Sequence, residues 1–130
     1  MARILVIDDQ ADVRAMMAIV LRVQRFEIVE AADAQEALQA FDASAFDLAI
    51  VDIFLENKSG VDVIMALRER VPDLPIVAIS GMTALDFLPS SPELANVVCL
   101  QKPFRPGDLT RAIETARGAA HRGAKSLAAG

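Results

Sequence analysis

The sequence contains few residues of several kinds, and each shortage excludes a class of protein. The single cysteine, Cys99, cannot form an internal disulfide and fits a reducing compartment. No tryptophan or tyrosine is present to stack on bases, and a net charge of −5 opposes binding to a phosphate backbone. No apolar run approaches the roughly 20 residues of a membrane span, and the N-terminus lacks a secretory signal. We therefore expect an acidic cytoplasmic protein that binds neither nucleic acid directly nor a membrane.

Short apolar runs alternate with segments of helical periodicity along the 130 residues. The runs are typical of strands buried on both faces, and the alternation predicts a parallel sheet with helices on both sides. We predict an α/β fold, a flavodoxin-like three-layer sandwich with strand order 2-1-3-4-5. Residues 1–119 would form one domain, and residues 120–130 a flexible C-terminal tail. The predicted strands are 3–7, 26–31, 46–52, 75–80 and 96–101, and the predicted helices are 11–24, a segment from Asp33 to about Phe41, 61–71 and 107–119.

Polar side chains stand at the carboxyl ends of four predicted strands. Asp8 and Asp9 follow the first strand, and Asp52 ends the third. Ser80 ends the fourth strand, and Lys102 follows the fifth. In an open parallel sheet this edge is where binding sites form. We therefore expect one site of three carboxylates, a hydroxyl and an ammonium, with Asp52 at its centre.

Each of these residues has an ordinary structural explanation when taken alone. An acid pair before a helix often only caps it, and a lone lysine is usually a solvated charge. Three carboxylates together are different, because one pair at about 4 Å repels by ~4 kcal/mol at an effective dielectric constant near 20. One lysine cannot neutralise three acids. The cluster therefore indicates a bound cation or a chemical role.

Mg²⁺ is the cation that this set of oxygen ligands favours. Zinc is not indicated, because His121 is the only histidine and no cysteine lies near it. Beside Mg²⁺, Asp52 would act as a nucleophile toward a phosphoryl group and form an acyl phosphate. Lys102 would offset the developing charge, and the Ser80 hydroxyl would hydrogen-bond a phosphoryl oxygen.

Taken in register, these motifs resemble the receiver domain of the response regulators of two-component systems. The resemblance covers residues 3 to about 118 and is closest to single-domain, chemotaxis-type regulators. The family motifs fall on the acid pair Asp8 and Asp9, the phosphoacceptor Asp52, the following glycine Gly60, the hydroxyl residue Ser80 and the Lys-Pro pair Lys102–Pro103.

The resemblance implies a ligand set and partners that the residues alone do not. Asp9, Asp52 and the backbone carbonyl of Phe54 would hold Mg²⁺, with Asp8 acting mainly through water. The peptide bond before Pro103 would be cis. The phosphoryl donor would be a phosphohistidine on a sensor histidine kinase or a histidine phosphotransfer protein. The chain would be a monomer or a weak homodimer that acts on a downstream protein.

The sequence departs from the family pattern at several positions. Cys99 stands where an aromatic residue usually acts as a rotamer switch, and a small thiol cannot swing as a ring does. Glu56 replaces a common proline, which should loosen the loop after the phosphoacceptor. Pro89 and Pro92 fall in the fourth helical segment and should break it, so we expect a reshaped output surface.

Two further departures concern the lifetime of the acyl phosphate. Phe54 and Met82 lie two residues after Asp52 and Ser80, at positions that flank the path of the hydrolytic water in the family. Both side chains are apolar and cannot orient a water molecule by hydrogen bonding. We therefore predict slow self-dephosphorylation.

These observations lead to a stand-alone response regulator rather than a classical enzyme. Its output would be binding to another protein, or transfer of the phosphoryl group onward in a relay. A receiver-fold interaction module that works without phosphorylation is an alternative, to which Cys99 and the two prolines lend some support. A magnesium-dependent aspartyl phosphohydrolase is a weaker alternative, because Phe54 occupies the place of its usual second acid. A flavin or nucleotide site is weaker still, since no glycine-rich phosphate loop follows the first strand.

Overall fold

The computed structural model describes residues 2–55, 59–81 and 94–129, with side chains described as far as residue 118. Five parallel strands form one sheet in the order β2-β1-β3-β4-β5. This arrangement confirms the predicted fold class and strand order. The elements are β1 Arg3–Ile7, α1 Ala11–Val23, β2 Glu27–Ala31, α2 Ala34–Ala43, β3 Leu48–Asp52, α3 Gly60–Arg70, β4 Ile76–Ser80, β5 Val98–Gln101 and α4 Pro106–Ala129.

The sheet has an apolar core on each of its faces. Alternate residues of a strand point to opposite faces, so β1 sends Ile4 and Val6 toward one cluster and Leu5 and Ile7 toward the other. The first cluster is closed by α1 and α4, and the second by α2 and α3. Every residue of β3 and of β4 is buried. This explains why both strands appear in the sequence as continuous apolar runs.

Side chains at two helix starts fix the connections that follow β2 and β3. Asp33 accepts a 2.8 Å hydrogen bond from the backbone N–H of Glu36, whose carboxylate in turn accepts one of 3.0 Å from the N–H of Ala32. The spacing of Asp33 and Glu36 in the sequence has the form of a capping box, although Glu36 reaches the N–H of Ala32, one residue before the N-cap. The Ser59 hydroxyl accepts a 3.2 Å hydrogen bond from the Val61 N–H and caps α3.

The largest differences between observed and predicted element bounds occur in β5 and α4. β5 begins at Val98, later than predicted, and α4 begins at Pro106, a residue well suited to the first helical turn. The α4 backbone continues to Ala129, past the predicted helix end at Ala119. The added segment is rich in alanine and also contains arginine, lysine and leucine, all strong helix formers. The division into a domain ending at residue 119 and a flexible tail remains a prediction.

Several predicted features lie outside the described residues. Glu56, Met82, Pro89 and Pro92 belong to this group, and so does the fourth helical segment. The side chain of His121 is also outside the described part of the chain. Within the described ranges, no helix is both long enough and apolar enough to cross a bilayer.

Candidate functional site

The sheet register brings four strand ends to the same edge. Asp52 at the end of β3 lies opposite Ile79 of β4, and Ser80 lies opposite Gln101 of β5. The Lys102 N–H continues this ladder with a 2.7 Å hydrogen bond to the Ser80 carbonyl. The predicted site residues therefore meet at the carboxyl edge of the sheet, where parallel α/β folds place their sites.

Three carboxylates converge at this edge. Asp8, Asp9 and Asp52 each offer one oxygen, and these oxygens all lie within 4.8 Å of one another. Asp8 is completely buried, Asp52 is only 5% exposed, and Asp9 is half-buried. This is a set of hard oxygen ligands of the kind that binds Mg²⁺.

The two oxygens of Asp8 have different surroundings. Oδ1 accepts a 2.8 Å hydrogen bond from the Gln10 N–H. Oδ2 lies 3.3 Å from Lys102 Nζ, an ion-pair distance, but it accepts no hydrogen bond within the described part of the chain. Burial raises the pKa of Asp8, and the charge of Asp52 adds to this rise, while the Gln10 N–H and Lys102 oppose it. A buried oxygen without a hydrogen bond fits a cation, which would satisfy it and offset the clustered charge.

Lys102 links the acid cluster to the loop after β1. Its Nζ donates a 3.1 Å hydrogen bond to Asp52 Oδ2 and a 2.9 Å hydrogen bond to Gln10 Oε1. Burial by itself would lower the pKa of this ammonium. The hydrogen bond to Asp52 and the charges of Asp52 and Asp8 outweigh that effect, so the pKa of Lys102 is raised. The ammonium therefore stays charged beside the carboxylate it would assist. The Lys102–Pro103 peptide bond is cis, the form that the resemblance implies.

The backbone after β3 donates a hydrogen bond to the carboxylate of Asp52. Its Oδ1 accepts a 2.9 Å hydrogen bond from the N–H of Phe54. Phe54 also pairs with Ser59 in an isolated antiparallel bridge, and its side chain is 49% exposed. The Gly60 N–H donates a 2.7 Å hydrogen bond to the Ile53 carbonyl. Asp52 Oδ1 is thus oriented by main-chain contacts, and Oδ2 faces the ammonium of Lys102.

Two predicted switch residues lie on neighbouring strands. Ser80 is completely buried at the end of β4. Cys99 lies in β5 opposite Ala78, is half-buried, and has its thiol pKa raised by that burial. A thiol held protonated in this way has little nucleophilic character. That Cys99 cannot act as the aromatic rotamer switch of the family stays a prediction.

Gln10 and Arg14 contact the site, yet sequence reasoning did not select either of them. The Gln10 amide binds Lys102, and Arg14 Nη1 donates a 2.7 Å hydrogen bond to the backbone carbonyl of Asp8. Arg14 is held in turn by an ion pair of 3.3 Å with Glu30. The only signal in the sequence was the position of Gln10 directly after the acid pair, which says nothing about the direction of its side chain.

The family model described as the response regulator receiver domain matches residues 4–114. The chain belongs to this receiver domain family.

Receiver domains of solved structure share both its fold and part of its sequence. The chemotaxis protein CheY4 of Vibrio cholerae is 26% identical, with a TM-score of 0.81 over 89% of this chain and 98% of that chain. The response regulator TrrA of Thermotoga maritima, solved in complex with Mg(2+)-BeF, is 26% identical with a TM-score of 0.79, over 89% of this chain and 99% of that chain.

Curated relatives match over part of their length only. The transcriptional regulatory protein PrrA of Mycobacterium tuberculosis is 32% identical over 86% of this chain and 48% of its own. The transcriptional regulatory protein PdtaR of the same species is 32% identical over 88% of this chain and 56% of its own. The chain thus spans about half the length of these relatives.

Proposed function

We propose that this receiver domain accepts a phosphoryl group on Asp52 from a phosphohistidine of a sensor histidine kinase or histidine phosphotransfer protein. The observation that carries the proposal is the position of Asp52 beside the buried acid Asp8 and next to the ammonium of Lys102, whose Nζ lies 3.1 Å from Asp52 Oδ2. A carboxylate that is nearly buried and faces a fixed cation is suited to nucleophilic attack on a phosphoryl group.

Each neighbouring residue has a defined part in this proposal. Mg²⁺ would be held by Asp9, Asp52 and the Phe54 carbonyl, with Asp8 acting mainly through water, and it would neutralise charge on the transferring group. The N–H of Phe54 keeps Oδ1 of Asp52 oriented. Lys102 and Ser80 would contact the phosphoryl oxygens and distinguish the modified from the unmodified state.

We further propose that the protein is a stand-alone cytoplasmic regulator without DNA-binding activity of its own. Phosphorylation would shift a two-state equilibrium and thereby alter binding to a downstream protein, or the phosphoryl group would pass onward in a relay. The acidic composition and the near-complete coverage of chemotaxis protein CheY4 support this reading. The match to transcriptional regulatory proteins over about half their length makes a receiver that is part of a longer transcriptional regulator the competing arrangement.

Intact mass spectrometry after incubation with acetyl phosphate and Mg²⁺ tests the proposal directly. The unmodified chain should gain one phosphoryl mass, and the gain should disappear in Asp52→Asn or when Mg²⁺ is removed. Asp62→Asn is the matched control, because it removes an exposed acid from the first turn of α3 and leaves the site intact.

The outcomes separate the candidate functions. An adduct that persists in Asp52→Asn would refute Asp52 as the acceptor. No adduct under any condition would favour the interaction module that works without phosphorylation. Steady release of inorganic phosphate over many turnovers would instead favour a magnesium-dependent phosphohydrolase.

A further inference from the structure

We infer that Gln10 is a positioning residue, which draws the ammonium of Lys102 away from Asp8 Oδ2 and so keeps that oxygen free to serve a divalent cation. The inference rests on the proposed function for its purpose, but it concerns a residue outside the motif positions that carry the resemblance. Gln10 lies 92 residues from Lys102 in the sequence, and only the fold brings the two side chains together.

The Lys102 ammonium lies at unequal distances from its three acceptor oxygens. The neutral amide oxygen of Gln10 is nearest at 2.9 Å, Asp52 Oδ2 follows at 3.1 Å, and Asp8 Oδ2 is farthest at 3.3 Å. Charged acceptors normally attract an ammonium more strongly and at shorter range than neutral ones. Asp8 is completely buried, and among the described residues its Oδ2 has an ion pair but accepts no hydrogen bond.

The backbone of Gln10 explains why its side chain can compete with the carboxylates. Its N–H donates to Asp8 Oδ1 at 2.8 Å, and its carbonyl accepts the first helical hydrogen bond of α1 from the Arg14 N–H at 3.0 Å. Arg14 also contacts the Asp8 carbonyl. The amide of Gln10 and the carboxylate of Asp8 therefore belong to one hydrogen-bonded turn, and both contact the same ammonium.

Removal of the Gln10 amide would release one N–H of Lys102. Asp8 Oδ2 lies 3.3 Å away and accepts no hydrogen bond from the described residues, so the ammonium would turn toward it and convert the present ion pair into a hydrogen-bonded one. A water molecule held by Mg²⁺, through which Asp8 would act, would then have to displace that stronger contact. Gln10→Met, which has similar length but no amide oxygen, should therefore weaken Mg²⁺ binding by about 3- to 10-fold, the range expected for one hydrogen bond.

The test is a titration of the full chain with Mg²⁺ in the absence of any phosphoryl donor. The NMR signals of the backbone amides report the binding at each Mg²⁺ concentration. Four proteins are compared: the unmodified chain, Gln10→Met, Lys102→Met and the double variant. Gln35→Met, at an exposed position on α2, is the control for a general effect of the substitution. Gln10→Ala serves in place of Gln10→Met if the latter does not fold.

Loss of Mg²⁺ affinity in Gln10→Met, with none in Gln35→Met and none when Lys102 is already Met, would support the inference, because Gln10 then acts through Lys102. Unchanged affinity would overturn it, as would an equal loss in the Lys102→Met background or failure of the unmodified chain to bind Mg²⁺. Since no phosphorylation is measured, a chain that binds Mg²⁺ but gains no phosphoryl mass would refute the proposed function without refuting this inference.

Discussion

Gly60 lies directly against the backbone of Asp52. The first residue of α3 has no side chain, and a Cβ placed there would overlap the Asp52 carbonyl oxygen and come within 2.6 Å of the Ile53 Cα. The close approach allows the Gly60 N–H to reach the Ile53 carbonyl at 2.7 Å. The start of α3 therefore braces the loop that leaves the proposed phosphoacceptor.

Gly60→Ala should destabilise the protein because its methyl group meets fixed backbone rather than a movable side chain. We expect a loss of about 1 to 3 kcal/mol in the free energy of unfolding, measured by urea denaturation. Gly107→Ala is the matched control. No atom lies within 4 Å of its added Cβ, and alanine favours the helix by up to about 1 kcal/mol. Equal stability of the two variants would contradict the bracing role of Gly60.

The buried charge of Asp8 should make the metal-free protein less stable than it could be. Because burial raises the pKa of Asp8, its charged form costs folding free energy at neutral pH, and Asp8→Asn should raise the free energy of unfolding there. As the pH falls through the raised pKa of the folded state, Asp8 takes up a proton and this cost is lost. The difference in free energy of unfolding between Asp8→Asn and the unmodified chain should therefore shrink as the pH is lowered toward about 4.

Chemical denaturation at several pH values, with and without Mg²⁺, measures this difference. Added Mg²⁺ should stabilise the unmodified chain by about 1.4 kcal/mol at ten times its dissociation constant, and Asp8→Asn by less. If the difference in free energy of unfolding between Asp8→Asn and the unmodified chain widened as the pH fell, the destabilising effect of the buried Asp8 charge would be refuted.

Arg68 should contribute to stability through the hydrogen bonds of its buried side chain. Its guanidinium is only 6% exposed and donates to the Leu74 carbonyl at 2.8 Å and to the Ala95 carbonyl at 2.7 Å. Burial lowers its pKa. Arg68→Met should cost about 2 to 4 kcal/mol, because both carbonyls lose a charged donor. Thermal and urea unfolding would measure the loss.

Arg70→Met provides the comparison for that variant. Arg70 lies on the same helix but is exposed, and it pairs with the exposed Asp42 at 2.7 Å. Exposed ion pairs contribute little to stability, so its loss should be small. If Arg70→Met were as destabilising as Arg68→Met, the burial of the Arg68 guanidinium would not be the cause.

Phe54→Asn should shorten the lifetime of the acyl phosphate severalfold. The Phe54 side chain is half exposed beside Asp52 and offers no polar atom, whereas an amide could hydrogen-bond and orient the attacking water. Decay of the phosphorylated mass with time gives the rate, and adding Met82→Glu should increase it further. Ile19→Asn, which changes another exposed apolar residue on α1, should leave the decay unaltered. Equal decay of Phe54→Asn and the unmodified chain would refute the prediction.

Most of the fold could be predicted because local patterns carry it. β3 and β4 are buried along their whole length and therefore appear as unbroken apolar runs, and the capping box of Asp33 and Glu36 marks the start of α2 without reference to the rest of the chain. Placement of the acids and the lysine at strand ends was enough to predict that these four side chains lie close together. The end of α4 was less predictable, since helix-forming composition and an expected frayed terminus pointed in opposite directions.

The alternation of strands and helices, and the residue types at the carboxyl edge of the sheet, can be derived from the amino-acid order alone. Both follow from hydrophobic periodicity and from the position of each polar residue at a strand end. How the atoms at that edge share one ammonium depends instead on the folded arrangement. The preference of Lys102 for Gln10 over Asp8 Oδ2 depends on a few tenths of an ångström. Such differences arise from the sheet register and the turn after β1, which act between residues far apart in the chain and leave no local pattern.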